Sequence, residues 1–184
     1  MTDFQTHLVE FLEATFPNVA WDDSVEDTAS RWIKAMQEYT PPSSPDYNFT
    51  TFETTVNQLI AVLNIEFSSL CAHHLFPFWG VAHVGYIPNK KMVGISKIPR
   101  LVHYLSERPQ TQETLTREIA SALKHGLDAM GVAVQIESRH TCMSCRGVKQ
   151  RNAVMVTSEM RGVFLTAEAA RLEFLQIVSQ GRLR

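Results

Sequence analysis

The spacing of apolar and polar positions predicts two helices at the start of the chain. Apolar residues recur at i, i+3 and i+4 spacing up to Pro17, which ends a one-faced helix. A second helix begins after Ser24-x-x-Asp27 or after Thr28, both plausible caps, and stops at Pro41. The polar, proline-rich segment over residues 40–51 is predicted to be a loop.

Shorter apolar runs predict four strands, which form two pairs along the chain. The first pair spans Leu59–Cys71 and Phe78–Ile87, and the second spans Val132–Cys142 and Val154–Arg161. Apolar residues at alternate positions, or in continuous runs of this length, are typical of strands with one or both faces buried. Each pair therefore indicates a hairpin.

Three further helices are predicted, two between the strand pairs and one near the end of the chain. Ser96 caps the first, which Pro109 ends. Gly131 supplies the left-handed cap of the longer second helix, Leu115–Met130. The last helix spans Thr166–Gln180. The resulting order, ααββααββα, is typical of an α+β fold with a helix pair between two hairpins.

Length and composition favour one domain. The chain has 184 residues, of which 45% are hydrophobic, enough for one packed core and too few to require a second. We therefore predict a single domain over residues 1–184. Its 17 basic and 19 acidic residues give a net charge of −2, so no overall positive field favours a nucleic-acid partner. Any site for an anion must be local.

The start of the chain and its cysteine content favour a cytoplasmic location. No basic segment followed by an apolar core opens the chain, and no run of about 18 apolar residues occurs. Neither export nor a membrane partner is therefore predicted. The three cysteines are then expected to be metal ligands or core thiols, because the cytosol keeps thiols reduced.

Two short segments combine cysteine and histidine at spacings that suit a metal. In Cys71-x-x-His74 the i, i+3 spacing lets both side chains face one way in a turn. In His140-x-Cys142, at the end of a predicted strand, the two side chains share a face and lie about 6 to 7 Å apart. Thiolate and imidazole ligands are typical of zinc sites.

One alternative is a closed structural zinc site. Cys71, His74, Cys142 and Cys145 would supply the four ligands of such a site. Against it, Cys142 and Cys145 are an odd number of positions apart, so in an extended strand their side chains leave on opposite faces.

The other alternative is an open site with three ligands, Cys71, His74 and Cys142. It keeps a fourth position for water, as catalysis requires. It also leaves His73 and His140 beside the metal, where imidazoles that titrate near neutrality can transfer protons. The two additional histidines favour the catalytic site.

Arg31 and Lys34 share one face of the second helix, so they can meet one anion together. The simpler interpretation of the pattern is a pair of solvated surface bases, since Lys and Arg are mostly exposed. His83 lies in a predicted strand and is most simply a hydrogen-bonded strand residue.

Five further blocks of the sequence keep a fixed order and spacing. These blocks are Phe67–Phe78, Gly85–Pro88, Gly94–Arg100, Arg108–Glu113 and His140–Val148. In this order and spacing the chain resembles the GTP cyclohydrolase I family, from about Asp27 to Val178. Five ordered blocks are far more specific than any one of them.

The resemblance implies a role for each matching site residue. Cys71, His74 and Cys142 match the zinc ligands, and His73 and His140 match the histidines that transfer protons. Gln112 and Glu113 match the pair that binds guanine. The residues that match the triphosphate contacts are Ser96, Lys97, Arg100, Arg146, Arg31 and Lys34.

The implied reaction is the zinc-dependent hydrolysis of GTP at C8 of its imidazole ring, with release of formate and formation of 7,8-dihydroneopterin triphosphate. The alternatives are a related enzyme that acts on another purine nucleotide or stops at the formamide, and a catalytically silent homologue that binds nucleotide. The product would feed folate, tetrahydropterin or 7-deazaguanine synthesis.

The implied fold is the tunnelling fold, ββααββ, over residues 51–184, with a C-terminal helix and with two N-terminal helices and a loop over residues 1–50. A homodecamer with active sites between subunits is also implied. Two positions depart from the family pattern. Ala72 replaces the usual glutamate beside the first ligand, and Cys145 is unusual in the last block.

Overall fold

The chain forms two compact units, residues 1–40 and residues 41–184. A computed structural model describes residues 3–40 and 49–181. The predicted stop at Pro41 and most of the predicted loop lie outside the described residues. The single-domain organisation stays a prediction.

The first unit is a pair of helices, α1 (Asp3–Thr15) and α2 (Val25–Gln37). The Ser24 side chain accepts a hydrogen bond from the backbone N–H of Asp27 at 3.1 Å, which satisfies one of the unpaired donors at the start of α2. Val9 on α1 packs in one cluster with Val25 and Ala29 on α2. Both predicted helices are confirmed.

The second unit contains two sheets. Their strands are β1 (Thr51–Glu53), β2 (Ile60–Cys71), β3 (Pro77–Ile87), β4 (Lys91–Val93), β5 (Pro109–Gln110), β6 (Gly131–His140) and β7 (Met155–Gly162). Strands β1 and β4 pair with each other, and the larger sheet has the order β5-β2-β3-β6-β7. Its long strands pair antiparallel, and β5 pairs parallel with β2. The four predicted strands are thus confirmed and lie side by side.

The helices of this unit are α3 (Lys97–Ser106), α4 (Gln112–Leu127), α5 (Thr141–Ser144), α6 (Val163–Thr166) and α7 (Glu168–Gln180). Three of them were predicted, and the short α5 and α6 were not. Mixed α and β structure is therefore confirmed. The specific ββααββ arrangement of the tunnelling fold stays a prediction.

Two details of the predicted caps are corrected. Ser96 is the N-cap residue of α3, but its side chain makes no capping hydrogen bond within the described residues. Helix α4 ends at Asp128, which takes the left-handed conformation (φ 47°) predicted for Gly131. Asp tolerates this conformation better than most residues because its short polar side chain can hydrogen-bond locally. Gly131 instead opens β6.

The prediction that the third long strand reaches Cys142 is also wrong. Strand β6 ends at His140, and the chain turns into α5 at Thr141. The Thr141 hydroxyl donates to the carbonyl of Pro77 at 2.6 Å, and the Thr141 carbonyl accepts from the N–H of Cys145 at 3.0 Å. The second bond closes a helical turn, so the strand geometry expected for Cys142 and Cys145 does not apply.

The sheet is buried on both faces near the middle of β6. Val132, Val134 and Ile136 pack in the main core with residues of α3 and α4. Ala133, which points to the other face, packs with Phe164 of α6 and residues of α7. Helices on opposite faces therefore hold β6 in place. Within the described ranges, no helix has the length and apolar content needed to cross a membrane.

We predict that Gly162→Ala lowers the free energy of unfolding by at least about 3 kcal/mol, because backbone strain and a steric clash add there. Gly162 has φ 60° and ψ −129°, a region that almost only glycine occupies. A Cβ at this position would lie 2.1 Å from the carbonyl oxygen of Met130. Urea unfolding of the purified variant measures the loss.

Gly147→Ala is the matched control. Its φ is also positive, at 58°, but an added Cβ would meet nothing within 4 Å among the described residues. Only the strain of a left-handed alanine remains, about 1 kcal/mol. Equal losses in the two variants would contradict the steric argument.

Candidate active site

A pocket of about 460 Å³ opens at one end of the larger sheet. Strand β2 ends there at Cys71, β6 ends there at His140, and β7 begins there, because neighbouring antiparallel strands bring opposite ends together. Helix α4 points its first turn into the same place. The lining residues are Cys71, His73, His74, Thr111, Gln112, Glu113, His140, Cys142, Met143, Ala153, Val154 and Met155.

Two thiols and an imidazole meet in this pocket. One ligand atom each of Cys71, His140 and Cys142 lies within 4.8 Å of the others. Burial raises the pKa of the Cys142 thiol, and so does the neighbouring Cys71 thiol, whereas the Arg146 guanidinium lowers it. Thiols this close together ionise readily only when a cation compensates their negative charge. This donor set suits a soft metal ion such as Zn²⁺.

The turn after β2 presents the other two histidines. The carbonyl of Cys71 accepts from the N–H groups of His74 and Leu75, at 3.2 Å and 2.8 Å. Nδ1 of His73 lies 3.7 Å from Sγ of Cys71. The His74 ring is exposed, stacks near Phe76 with ring centroids 6.3 Å apart, and lies outside the cluster of three ligand atoms. The structure therefore brings His140, rather than His74, next to both sulfurs.

His140 is held in a partly apolar setting. Its ring stacks on the buried ring of Phe78, with centroids 4.5 Å apart and planes 4° from parallel. Burial lowers the pKa of His140, and the Glu113 carboxylate raises it in part. The neutral imidazole is favoured near pH 7, so His140 is able to accept a proton.

Gln112 and Glu113 begin α4 but face different surroundings. The Gln112 side chain is buried, and its amide forms hydrogen bonds with residues of β6, among them His140, and of β7. Glu113 is exposed at the first turn, where the helix dipole favours an acid. Of the predicted guanine-binding pair, only Glu113 has an exposed side chain.

The residues predicted to bind triphosphate lie in three parts of the chain. Ser96, Lys97 and Arg100 lie at the start of α3, and Arg146 follows α5. None of these four is among the described residues that line the pocket, although Arg146 is close enough to lower the pKa of Cys142.

Arg31 and Lys34 belong to the separate unit of residues 1–40. There the Arg31 guanidinium pairs with Asp23 at 3.1 Å and donates to Thr28 at 3.2 Å. Lys34 lies in the last turn of α2.

Several contributors to the pocket were not predicted from the sequence. Phe78 contacts the His140 imidazole, and Ser138 contacts the Gln112 amide. Both lie within strands, where the apolar alternation of the sequence indicates only burial. Met143, Ala153, Val154 and Met155 line the pocket from the segment between α5 and β7. Cys145 lies outside the ligand cluster, with its thiol directed to the Thr141 carbonyl at 2.8 Å.

Comparison with known proteins identifies relatives over most of the chain. The chain is 49% identical over 159 residues to a GTP cyclohydrolase 1 of Campylobacter jejuni subsp. jejuni, with 84% of each chain covered. It is 48% identical over 134 residues to one of Leptospira biflexa, with 73% of each covered. Among solved structures, the apo archaeosine synthase QueF-Like aligns with 56% of this chain and 93% of its own, at 16% identity and a TM-score of 0.47.

A family profile covers nearly the whole sequence. The family model described as GTP cyclohydrolase I matches residues 4–179, which include all of α2 and all but one residue each of α1 and α7. The match therefore contains every predicted site residue. The chain belongs to the GTP cyclohydrolase I family.

Proposed function

We propose that this protein hydrolyses GTP at C8 of the guanine imidazole ring, releases formate and forms 7,8-dihydroneopterin triphosphate. The observation that carries the proposal is the convergence of Cys71, His140 and Cys142 within 4.8 Å, in a pocket that Glu113 also lines. Metal ligands, a neutral imidazole and a carboxylate at one site are what a metal-assisted hydrolysis of a guanine ring requires. Family membership supports the same reaction.

We further propose that Cys71 and Cys142 hold Zn²⁺ together with an imidazole. Family resemblance assigns this third position to His74, while the geometry of this chain favours His140. A bound zinc ion would supply Lewis acidity and lower the pKa of a water molecule. His73 and whichever of His74 and His140 is not a ligand remain to accept and return protons.

Substrate recognition is divided between two groups. The Glu113 carboxylate can accept from the guanine ring N–H and from its exocyclic amine together. The start of α3, with Ser96, Lys97 and Arg100, offers backbone N–H groups and positive charge to phosphates. Arg146, Arg31 and Lys34 complete the proposed triphosphate contacts, by resemblance alone.

Assembly and location follow only from resemblance and sequence. We propose a homodecamer with sites between subunits, in which basic residues of different protomers reach one phosphate chain. A cytoplasmic location stays a prediction.

The decisive experiment incubates purified protein with GTP and measures formate and the fluorescence of the oxidised pterin. Both signals are expected. Formate without pterin indicates an enzyme that stops at a ring-opened product. With neither signal, turnover of another purine nucleotide is the next test, and binding without turnover identifies a silent homologue.

Metal content and activity are expected to fall together in Cys71→Ser and Cys142→Ser, because each variant removes a thiolate ligand. Cys145→Ser is the matched control and should keep one zinc per subunit and most of the activity, since its thiol lies outside the cluster. Metal analysis of the purified variants gives the result. Loss of zinc from the Cys145 variant would favour the closed four-ligand site.

The third ligand is assigned by comparing His74→Ala with His140→Ala. The geometry leads us to expect that His140→Ala loses zinc and that His74→Ala retains it. The reverse result, zinc lost only from the His74 variant, would restore the assignment by resemblance. Each outcome also assigns the remaining histidine to proton transfer.

Glu113→Gln is expected to weaken guanine recognition by about 1.5 to 3 kcal/mol, since a neutral amide loses a charge-assisted hydrogen bond. The measurement is the Kd for GTP and for inorganic triphosphate. Only the Kd for GTP should rise. Lys97→Ala is the control and should raise both values. Unchanged GTP binding by the Glu113 variant would contradict its guanine-binding role.

A further inference from the structure

The Gln112 amide has a defined orientation. Its side chain is 1% exposed, and its Nε2 lies 3.2 Å from the carbonyl oxygens of Ile136 and Met155 and 3.0 Å from Oγ1 of Thr157. A backbone carbonyl can only accept a hydrogen bond, so the NH₂ group must be the end that faces β6 and β7. Turning the amide over would place its oxygen against two carbonyl oxygens in a buried place, which is strongly unfavourable.

The opposite end of the amide faces the active site. Oε1 of Gln112 accepts from the hydroxyl of Ser138 at 2.5 Å and lies 3.0 Å from Nε2 of His140. An amide oxygen has no hydrogen to give, so Nε2 of His140 must carry the hydrogen of this bond. A neutral imidazole has a single N–H, and Nδ1 therefore keeps its lone pair.

A second contact restricts the same ring. Phe78 is fully buried and lies opposite His140 in the pairing of β3 with β6. Its ring is stacked almost parallel on the imidazole, at 4.5 Å between centroids. The stack fixes the plane of the imidazole, and the bond to Gln112 fixes its rotation within that plane. Together they leave His140 one orientation and one tautomer.

We propose that Gln112 is a positioning residue for His140 and not a direct contact of guanine. It holds His140 in the Nε2–H tautomer and leaves the lone pair of Nδ1 directed away from Gln112, free for a metal ion or a proton. The inference rests on the proposed function only in that the reaction used to test it is the hydrolysis of GTP. It differs from the role that family resemblance assigns to this position, and it leaves guanine recognition to Glu113.

Kinetics distinguish the two roles. Gln112→Met removes both ends of the amide at similar length and should lower kcat about 10- to 100-fold with little change in KM for GTP, because the substrate loses no contact. Thr157→Val is the matched control, since it removes an acceptor at the far end of the amide and leaves Oε1 in place. It should keep kcat near the wild-type value. A raised KM with unchanged kcat in Gln112→Met would overturn the proposal.

A neutron crystal structure of the wild-type protein tests the tautomer directly and needs no variant. Deuterium on Nε2 of His140, directed at Oε1 of Gln112, with none on Nδ1, is expected. Deuterium on Nδ1 would overturn the proposal, even if Gln112→Met failed to fold. If the wild-type protein released no formate from GTP, the proposed function would fail, whereas the protonation state of His140 would still decide this inference.

Discussion

The antiparallel pairing of β3 with β6 is the constraint on which the site depends. It places Phe78 opposite His140 and therefore sets the ring stack from which the imidazole takes its plane. Strand β2 pairs with the opposite edge of β3, where Leu70, next to Cys71, lies opposite Pro77. Strand β3 therefore sets the distance between Cys71 on one side and His140 on the other. A slip of one residue would turn every side chain of β6 to the opposite face and disperse the cluster.

Helix α4 adds the second constraint, because two adjacent residues of its first turn have different roles. Gln112 is buried and ties the helix to β6, to β7 and to the imidazole. Glu113 is exposed to the pocket, where its charge partly offsets the effect of burial on the pKa of His140. Since the residues are adjacent, the position of Glu113 relative to His140 is fixed by the same bonds that hold Gln112.

The sequence predicted the long elements well because each has a strong apolar period, as in β2, β6 and α4. It failed where a tertiary contact or a short segment decides the conformation. Strands β1, β4 and β5 have two or three residues each, too few to show a period. Thr141, bonded to the Pro77 carbonyl, accompanies a helical turn where alternation predicted strand. Asp128, rather than Gly131, takes the left-handed conformation at the end of α4, because a short polar side chain also tolerates it.

The site residues were predictable in kind, but their partners were not. Cysteine and histidine spacing identified the segments that converge, whereas the choice of His140 over His74 as neighbour of both sulfurs depends on the strand register and on Gln112. With its pKa raised by burial and by Cys71, the Cys142 thiol keeps its proton at neutral pH unless a cation compensates the charge. Binding of a metal must then displace the proton of the Cys142 thiol, so the affinity of the site for metal is coupled to pH. If His140 is the third ligand, the hydrogen that its bond to Gln112 places on Nε2 leaves Nδ1 able to bind the metal without losing a proton.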